Sequence, residues 1–340
     1  MLRRFRVIAP FLSALVSLPS AARADHAGPS GGAAAGGAIN TVSAWTLDEG
    51  HWAFGGRLSM TTPDQLSDAE LLAREAAGID SHSTRDVINA SVGAAYGVTH
   101  DLILSVELPY VRRVSIRTAA DGGVVNRGTS AGIGDATLLA KYRVRHGDIW
   151  AVAVLGGIKA PTGSTNLRDR NGERFETEHQ VGTGSWDPVG GLAASLSSGR
   201  ESFDASLMFQ LATPGAQDTR LGSRAQAGVA LSHRFGGMRV EDEHEHDAHH
   251  HEDAKHDHHH AASVDGVIEL NGEWEGRETV GGVLDRYSGG RSLWLSPGAR
   301  FVSPSGWSLA GSFGLPIYQR IRASHPNNAY RFSVSMGRAF

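Results

Sequence analysis

Apolar residues alternate with small or polar residues over most of the chain. Ile88 and Val92 lie on the apolar face of one segment and Leu104 and Leu108 on that of the next, with the short stretch GVTHD between the two segments. Side chains of an extended strand point alternately to opposite faces, so a period of two over this length predicts β-strands rather than helices.

The same alternation recurs along the chain and predicts twelve strands. Each of them is close to the ~9–11 residues that a tilted strand needs to cross a bilayer. An even number of antiparallel strands returns the chain to the side from which it started. The predicted strands cover approximately residues 52–62, 84–97, 101–114, 130–145, 149–161, 184–198, 203–213, 222–235, 264–275, 291–302, 305–318 and 329–340.

Two all-β architectures would alternate in this way. A soluble sandwich turns its apolar faces into a core, whereas a membrane barrel turns them to lipid and its small or charged faces to the lumen. Glu107, Lys141 and Glu269 carry charge in the middle of strands, and short connections alternate with long ones, which favours the barrel. Aromatic residues near the predicted strand ends are typical of interfacial girdles: Trp52, Tyr110, Trp150, Trp274, Trp307 and Tyr330. The sequence therefore predicts an all-β fold, a transmembrane antiparallel β-barrel of about twelve strands over residues 45–340.

The connections assign the strand ends to two sides of the membrane, because short turns of such barrels face the periplasm and long loops face outward. The short turns are GVTHD, HGD, SSGRES and VSPSG, and the long connections lie near residues 63–83, 115–129, 162–183, 214–221, 276–290 and 319–328. An even strand count puts both termini on the periplasmic side. By the same parity, the connection over residues 236–263, between the eighth and ninth strands, is a periplasmic loop.

The N-terminus has the layout of a secretory signal peptide. Arg3 and Arg4 precede an apolar run that ends at Leu18, and Ala22-Arg23-Ala24 is a small-residue cleavage pattern. We expect residues 1–24 to be removed, which leaves a flexible Gly/Ala-rich leader over residues 25–44. No stretch approaches the ~18 apolar residues of a membrane-crossing helix. The predicted location is therefore the bacterial outer membrane.

The periplasmic loop has a composition unlike the rest of the chain. Its segment EDEHEHDAHHHEDAKHDHHH, residues 241–260, holds nine of the 17 histidines together with eight acidic residues and one lysine. This segment carries a charge of −7, so the net charge of −4 owes its sign to it, and a nucleic acid is not an expected partner. Such a composition cannot bury a core, and we expect the loop to be disordered.

The nine histidines of this loop are candidate metal ligands. Neutral imidazole binds zinc, copper or nickel, and carboxylates can complete such sites. The overlapping spacings predict exchangeable binding at several sites; a solvated charged linker with no metal role is the alternative. No other cofactor is required, and the absence of cysteine excludes thiolate sites. The candidates are His244, His246, His249, His250, His251, His256, His258, His259 and His260.

The predicted lumen faces carry a second set of candidates, with charges of both signs. In a narrow barrel these side chains would pair across the lumen and partly fill it; contact with a permeating solute is the alternative. The set is Glu107, Asp135, Lys141, Arg143, Lys159, Asp204, Arg224, Arg234, Glu269, Glu273, Arg300 and Arg331. A barrel enzyme would need a serine, a histidine and an acid together. His233 has no serine motif beside it, so we predict that the protein is not an enzyme.

Three glycine-rich stretches resemble a known family: GIGDATLLAKYRV (132–144), GGIKAPTGS (156–164) and GTGSWDPVGGLAASLSSG (182–199). Together with a closing strand that ends in Phe340, they are similar to bacterial outer-membrane barrels labelled "putative MetA-pathway of phenol degradation". The resemblance covers the chain from about residue 45 and implies passage of small molecules, aromatic or hydrophobic ones among them. It also implies that the barrel assembly machinery reads the strand ending in Phe340. The histidine-rich loop departs from the family pattern.

Three interpretations of function follow. The first is an outer-membrane channel or transporter for small solutes whose periplasmic loop binds transition metals, for metal uptake or efflux, with outer-membrane lipid and periplasmic metal-handling proteins as partners. The second is a barrel for small hydrophobic or aromatic organic molecules, in which the loop is a metal buffer. The third is a plugged barrel with a structural or adhesive role.

Overall fold

The computed structural model describes residues 38–236 and 262–340. The predicted signal peptide, the leader up to residue 37 and the nine candidate metal ligands lie outside these residues. The described part contains one α-helix, α1 (Asp68–Ala76), and two 3₁₀ turns, Thr177–His179 and Ala216–Asp218. Its strands are β1 (Trp52–Pro63), β2 (His82–Thr99), β3 (Leu102–Ala120), β4 (Gly123–Ile133), β5 (Ala136–His146), β6 (Trp150–Ala160), β7 (Asp187–Ser198), β8 (Glu201–Gln210), β9 (Thr219–Arg220), β10 (Arg224–Phe235), β11 (Ser263–Glu275), β12 (Thr279–Val280), β13 (Val283–Leu284), β14 (Gly290–Val302), β15 (Trp307–Ile321) and β16 (Asn328–Ala339).

Twelve of these strands close into an antiparallel barrel. β1 pairs with both β2 and β16, so the ring has no free edge. β4 is an additional strand that continues the line of β5, because β5 pairs with residues 102–107 of β3 and β4 pairs with residues 110–120. β9, β12 and β13 form a small separate sheet among the loops. The prediction of a twelve-stranded transmembrane antiparallel β-barrel is confirmed.

The exposure of the strand side chains follows the alternation in the sequence. Leu138, Leu192 and Leu207 are about half exposed on the outside of the barrel. Ala151 and Ala153, on the opposite face of β6 from Val154, are fully buried. The large apolar residues therefore form the lipid-facing surface, and small or charged residues face the lumen.

Two of the predicted long connections contain a helix or a long hairpin, in addition to the 3₁₀ turns and two-residue strands of the other connections. The predicted loop over residues 115–129 is instead the tip of a hairpin, in which β3 and β4 meet at Asp121 and Gly122. Both turn residues have positive φ, of 52° and 74°, as a type I′ turn requires. The predicted loop over residues 63–83 contains α1, which begins with a capping box between Ser67 and Glu70. Within the described ranges, no helix is long and apolar enough to cross a membrane.

The short turns lie together at one end of the barrel, which we call the inner end. The ring also begins and finishes there, where the N–H of Trp52 donates to the carbonyl oxygen of Phe340 at 3.2 Å. Phe235 pairs with Val264, so β10 finishes and β11 begins at the inner end. The histidine-rich connection is therefore attached on the short-turn side, in agreement with the strand count. The opposite end, with the long connections, is the outer end.

Candidate functional site in the barrel lumen

Residues 38–47 lie inside the barrel, and we call them the lumen segment. Three of their apolar side chains each anchor a small buried cluster: Leu47 near the inner end, Trp45 against β6 and β7, and Ile39 against β11 and β15. The expectation of a flexible leader therefore does not extend to residues 38–44, because these contacts and the hydrogen bonds described below order them.

Glu269 on β11 is the main acceptor for the backbone of the lumen segment. Its Oε1 accepts hydrogen bonds from the N–H groups of Ile39 at 2.8 Å, Asn40 at 3.0 Å and Thr41 at 3.2 Å. Its Oε2 accepts from the N–H of Asn40 at 3.0 Å and from the Asn40 side-chain amide. The residue is only 1% exposed. Backbone groups that would otherwise need water are thus satisfied by one carboxylate.

Cationic side chains hold the carbonyl oxygens of the same segment. Lys141 on β5 donates to the carbonyl of Ser43 at 3.1 Å. Arg57 on β1 donates to the carbonyl of Ile39 at 2.9 Å. Arg300 on β14 donates to the first carbonyl of the segment. Charge-assisted hydrogen bonds of this kind are roughly twice as strong as neutral ones, so the segment is held firmly without a covalent link.

Other N–H groups of the segment are bound by β7 and β8 on the opposite wall. Asp204 on β8 accepts from the N–H of Ala38 at 3.2 Å, and Ser195 on β7 accepts from the N–H of Ala44 at 2.8 Å. With bonds from β15 and β16 to Asn40, eight of the twelve ring strands contact the segment through hydrogen bonds. The segment therefore crosses the lumen rather than following one wall.

Two glycines of the wall leave room for the lumen segment. A Cβ atom at Gly228 would lie 2.6 Å from Oγ1 of Thr41, and one at Gly298 would lie 2.7 Å from Cδ1 of Ile39. Real Cβ atoms do not approach neighbours so closely. A larger residue at Gly228 would displace Thr41 of the segment, whereas one at Gly298 would first meet the carbonyl oxygen of Gly311 at 2.5 Å.

The three stretches that resemble a known family meet at the outer end of β5, β6 and β7. Lys159 lies 2.8 Å from the Asp135 carboxylate and 2.9 Å from that of Asp187. Asp135 also accepts from the N–H of Gly163 at 3.0 Å and from that of Thr183 at 2.9 Å. Each stretch thus contributes to one buried ion-pair cluster that joins the strand ends.

The other lumen candidates form ion pairs nearer the two ends of the barrel. Arg331 lies 2.7 Å from the Glu273 carboxylate and over the ring of Trp294 at 4.2 Å. Three further arginines pair with acids on neighbouring strands or turns: Arg143 with Asp101, Arg224 with Glu275 and Arg234 with Asp265. Glu107 is half-buried, and its neighbours Val106 and Leu108 are exposed.

The sequence-predicted lumen residues thus fall into separate groups. Four of them, Lys141, Asp204, Glu269 and Arg300, contact the lumen segment, and Asp135 and Lys159 contact each other. The segment itself was not predicted as part of the site. The Gly/Ala-rich stretch that precedes the segment has no hydrophobic periodicity. The only sequence signal was the short run INTVSAW, residues 39–45, in which apolar and polar residues are mixed.

Comparisons with known proteins agree with this architecture. The model of the family described as "Putative MetA-pathway of phenol degradation" matches residues 83–269. An outer-membrane channel from Pseudomonas putida F1 is 17% identical and superposes with a TM-score of 0.55, over 87% of this chain and 97% of the channel. At this identity, the similarity shows a shared fold. No curated protein matches the sequence.

Two other solved barrels superpose less well. The toluene transporter TodX of P. putida has a TM-score of 0.40 at 11% identity, over 86% of this chain and 91% of that protein. The β domain of the Bordetella autotransporter BrkA has a TM-score of 0.44 at 11% identity, over 86% and 100% of the two chains. Neither similarity is large enough to bear on function.

Proposed function

This chain belongs to the family described as "Putative MetA-pathway of phenol degradation", and from that premise we propose that it is an outer-membrane channel for small organic molecules that carry an aromatic ring. The family description supports the class of solute. A closed ring of twelve strands supports the membrane location, since a closed antiparallel barrel satisfies its backbone groups without water.

The observation that carries the proposal is the lumen segment. It is held by hydrogen bonds and small apolar clusters without a covalent link, and the proposal is that it leaves the lumen when a solute passes and then returns. A barrel that needed only rigidity could fill its lumen with paired side chains from its own strands. We therefore assign the lumen segment the role of a gate on the solute pathway.

The histidine-rich loop has a secondary place in this proposal. Its metal binding stays a prediction, because residues 241–260 lie outside the described part of the chain. The family description favours organic solutes over metal ions as cargo, so we assign the loop the role of a metal buffer beside the inner mouth.

Reconstitution tests the channel and its gate together. We expect the full mature protein to conduct weakly in planar bilayers, and a variant that lacks residues 25–46 to conduct strongly, because the wall then loses its occupant. Proteoliposome swelling in benzenesulfonate, an aromatic ring of phenol's size whose charge keeps it out of lipid, measures passage of the solute class. Arabinose is the non-aromatic comparison.

A second variant keeps the full chain length. Gly228→Leu displaces Thr41 and should raise conductance, whereas Gly156→Leu, which adds a side chain where nothing lies within 4 Å, should not. If the truncated barrel is folded but does not conduct, the channel proposal is wrong and a structural role is favoured. If it conducts but benzenesulfonate enters no faster than arabinose, the solute class is wrong.

A further inference from the structure

A cluster of histidine and glutamate side chains lies at the outer end of the barrel, away from the lumen segment. His82 begins β2, Glu178 and His179 lie between β6 and β7, and His325 lies between β15 and β16. β2 pairs with β1 only as far as Val87, so His82 lies beyond the ring, on an extension of β2 and β3. Three connections that are distant in sequence meet in this cluster.

Three donor atoms converge within the cluster. Nδ1 of His82 is 3.0 Å from Oε1 of Glu178, and Nε2 of His179 is 3.3 Å from the same oxygen. Donors from these residues and Glu176 all lie within 4.8 Å of one another. In a tetrahedral zinc site, with bonds of about 2.0–2.1 Å, neighbouring ligand atoms are about 3.3 Å apart. Both distances to Oε1 of Glu178 are close to this value, so one such ion fits among the three donors.

The same donors are buried, and their contacts with one another are not well-aligned hydrogen bonds. His82 and His179 are each 4% exposed. Among the described residues, the two ring nitrogens of His82, Nε2 of His179 and Oε1 of Glu178 make no hydrogen bond of good geometry, although each lies 3.0–3.3 Å from a carboxylate oxygen or an imidazole nitrogen. A buried polar atom whose hydrogen bond is not made costs about 1–3 kcal/mol. An ion among these atoms would satisfy several of them at once.

Two further side chains are placed to hold the ligands. Oε2 of Glu176 is 3.3 Å from Nε2 of His82, and Nε2 of His325 is 3.3 Å from Oε2 of Glu178. In protein metal sites, a ligating histidine commonly donates its second nitrogen to a carboxylate, and ligating carboxylates are themselves hydrogen-bonded. Glu176 and His325 lie close enough to the ligands to provide both kinds of support.

We propose that His82, Glu178 and His179 form a divalent metal site of the zinc type at the outer mouth of the barrel, with Glu176 and His325 as positioning residues. Two imidazoles and a carboxylate suit zinc and its neighbours rather than magnesium or calcium. The bound ion ties three outer connections together and stiffens the mouth. This site is at the opposite end from the histidine-rich loop and does not depend on the proposed solute.

Hydrogen exchange of the full mature protein in lipid nanodiscs, with and without zinc chloride, tests the site. At a zinc concentration ten times the Kd, we expect amides in residues 174–182 and 322–327 to exchange about tenfold more slowly. His179→Gln should abolish this protection. Glu176→Gln, at a half-exposed positioning residue, should weaken zinc affinity by about 10–100-fold.

Two controls separate this site from the other features of the protein. Replacing His249, His250 and His251 with glutamine should leave the protection unchanged, and magnesium should give none. The site is refuted if zinc does not slow exchange in the wild type, or if protection survives His179→Gln and is lost in the triple variant. If His179→Gln does not fold, Glu176→Gln decides. This test reads hydrogen exchange and not conductance, so its result does not depend on whether the channel proposal is correct.

Discussion

Glu269 shows how a single side chain can fix a segment of backbone inside a barrel. A buried carboxylate is tolerated only where it is paired or well hydrogen-bonded. Here it accepts from three successive N–H groups, while Arg57 on β1 donates to the carbonyl of Ile39 in the same stretch. An anion and a cation thus hold one short piece of backbone, and neither is left without a partner.

Glu269→Gln should loosen the lumen segment while it preserves the shape of the site. Loss of the charge on a multiple acceptor costs about 2 kcal/mol, which raises the population of the displaced segment about 30-fold. Single-channel recording should then show more frequent openings. Glu107→Gln is the matched control, because within the described residues its carboxylate makes no hydrogen bond to the lumen segment. Equal effects of the two changes would contradict the assigned role of Glu269.

At the scale of elements, the alternation in the sequence predicts the ring strands, but no such pattern predicts what the connections contain. The predicted strand ends at residue 114, directly before Ser115 with its positive φ of 57°, yet β3 continues to Ala120. The register with β4 shifts at the same place, so a bulge interrupts the pattern without ending the strand. The Asp-Gly pair at the turn and the Ser-x-x-Glu box of α1 were sequence signals for both missed elements.

The lipid-facing positions of β7 predict a depth-dependent cost of charge. Leu192 lies near the middle of the strand and Leu196 lies near its inner end, and both are exposed on the outside. We expect Leu192→Arg to lower the free energy of unfolding by about 2–4 kcal/mol and Leu196→Arg by about 0–1 kcal/mol. Urea unfolding in lipid vesicles measures both. Equal costs at the two depths would argue against a membrane position centred on Leu192.

At the scale of the whole molecule, the chain separates its candidate functions between two ends and the lumen. The histidine-rich loop is attached at the inner end, the lumen segment fills the middle, and the His82 cluster lies at the outer end. The ring is complete without the loop, because β10 and β11 pair from Arg224 with Glu275 to Phe235 with Val264.

Deletion of residues 237–261 should therefore leave the barrel intact. The remaining Gly236, Ala262 and Ser263 would form a three-residue hairpin loop, a common length. We expect an unchanged melting temperature, with loss of the multisite zinc binding that calorimetry should detect in the full chain. A barrel that fails to assemble would show a structural role for the loop, and unchanged zinc stoichiometry would remove its metal role.

The sequence by itself determined the number of ring strands, their outward faces and the side to which the histidine-rich connection is attached. The outward faces follow from a period of two, which is a local property of each strand. The side of each connection follows from counting the strands before it. Only the tertiary structure decided what fills the lumen and which histidines meet at the outer mouth. The lumen segment is held by side chains from eight strands, and Glu178 meets His82 and His325 across long separations. No local pattern encodes such contacts, because they exist only once the ring has closed.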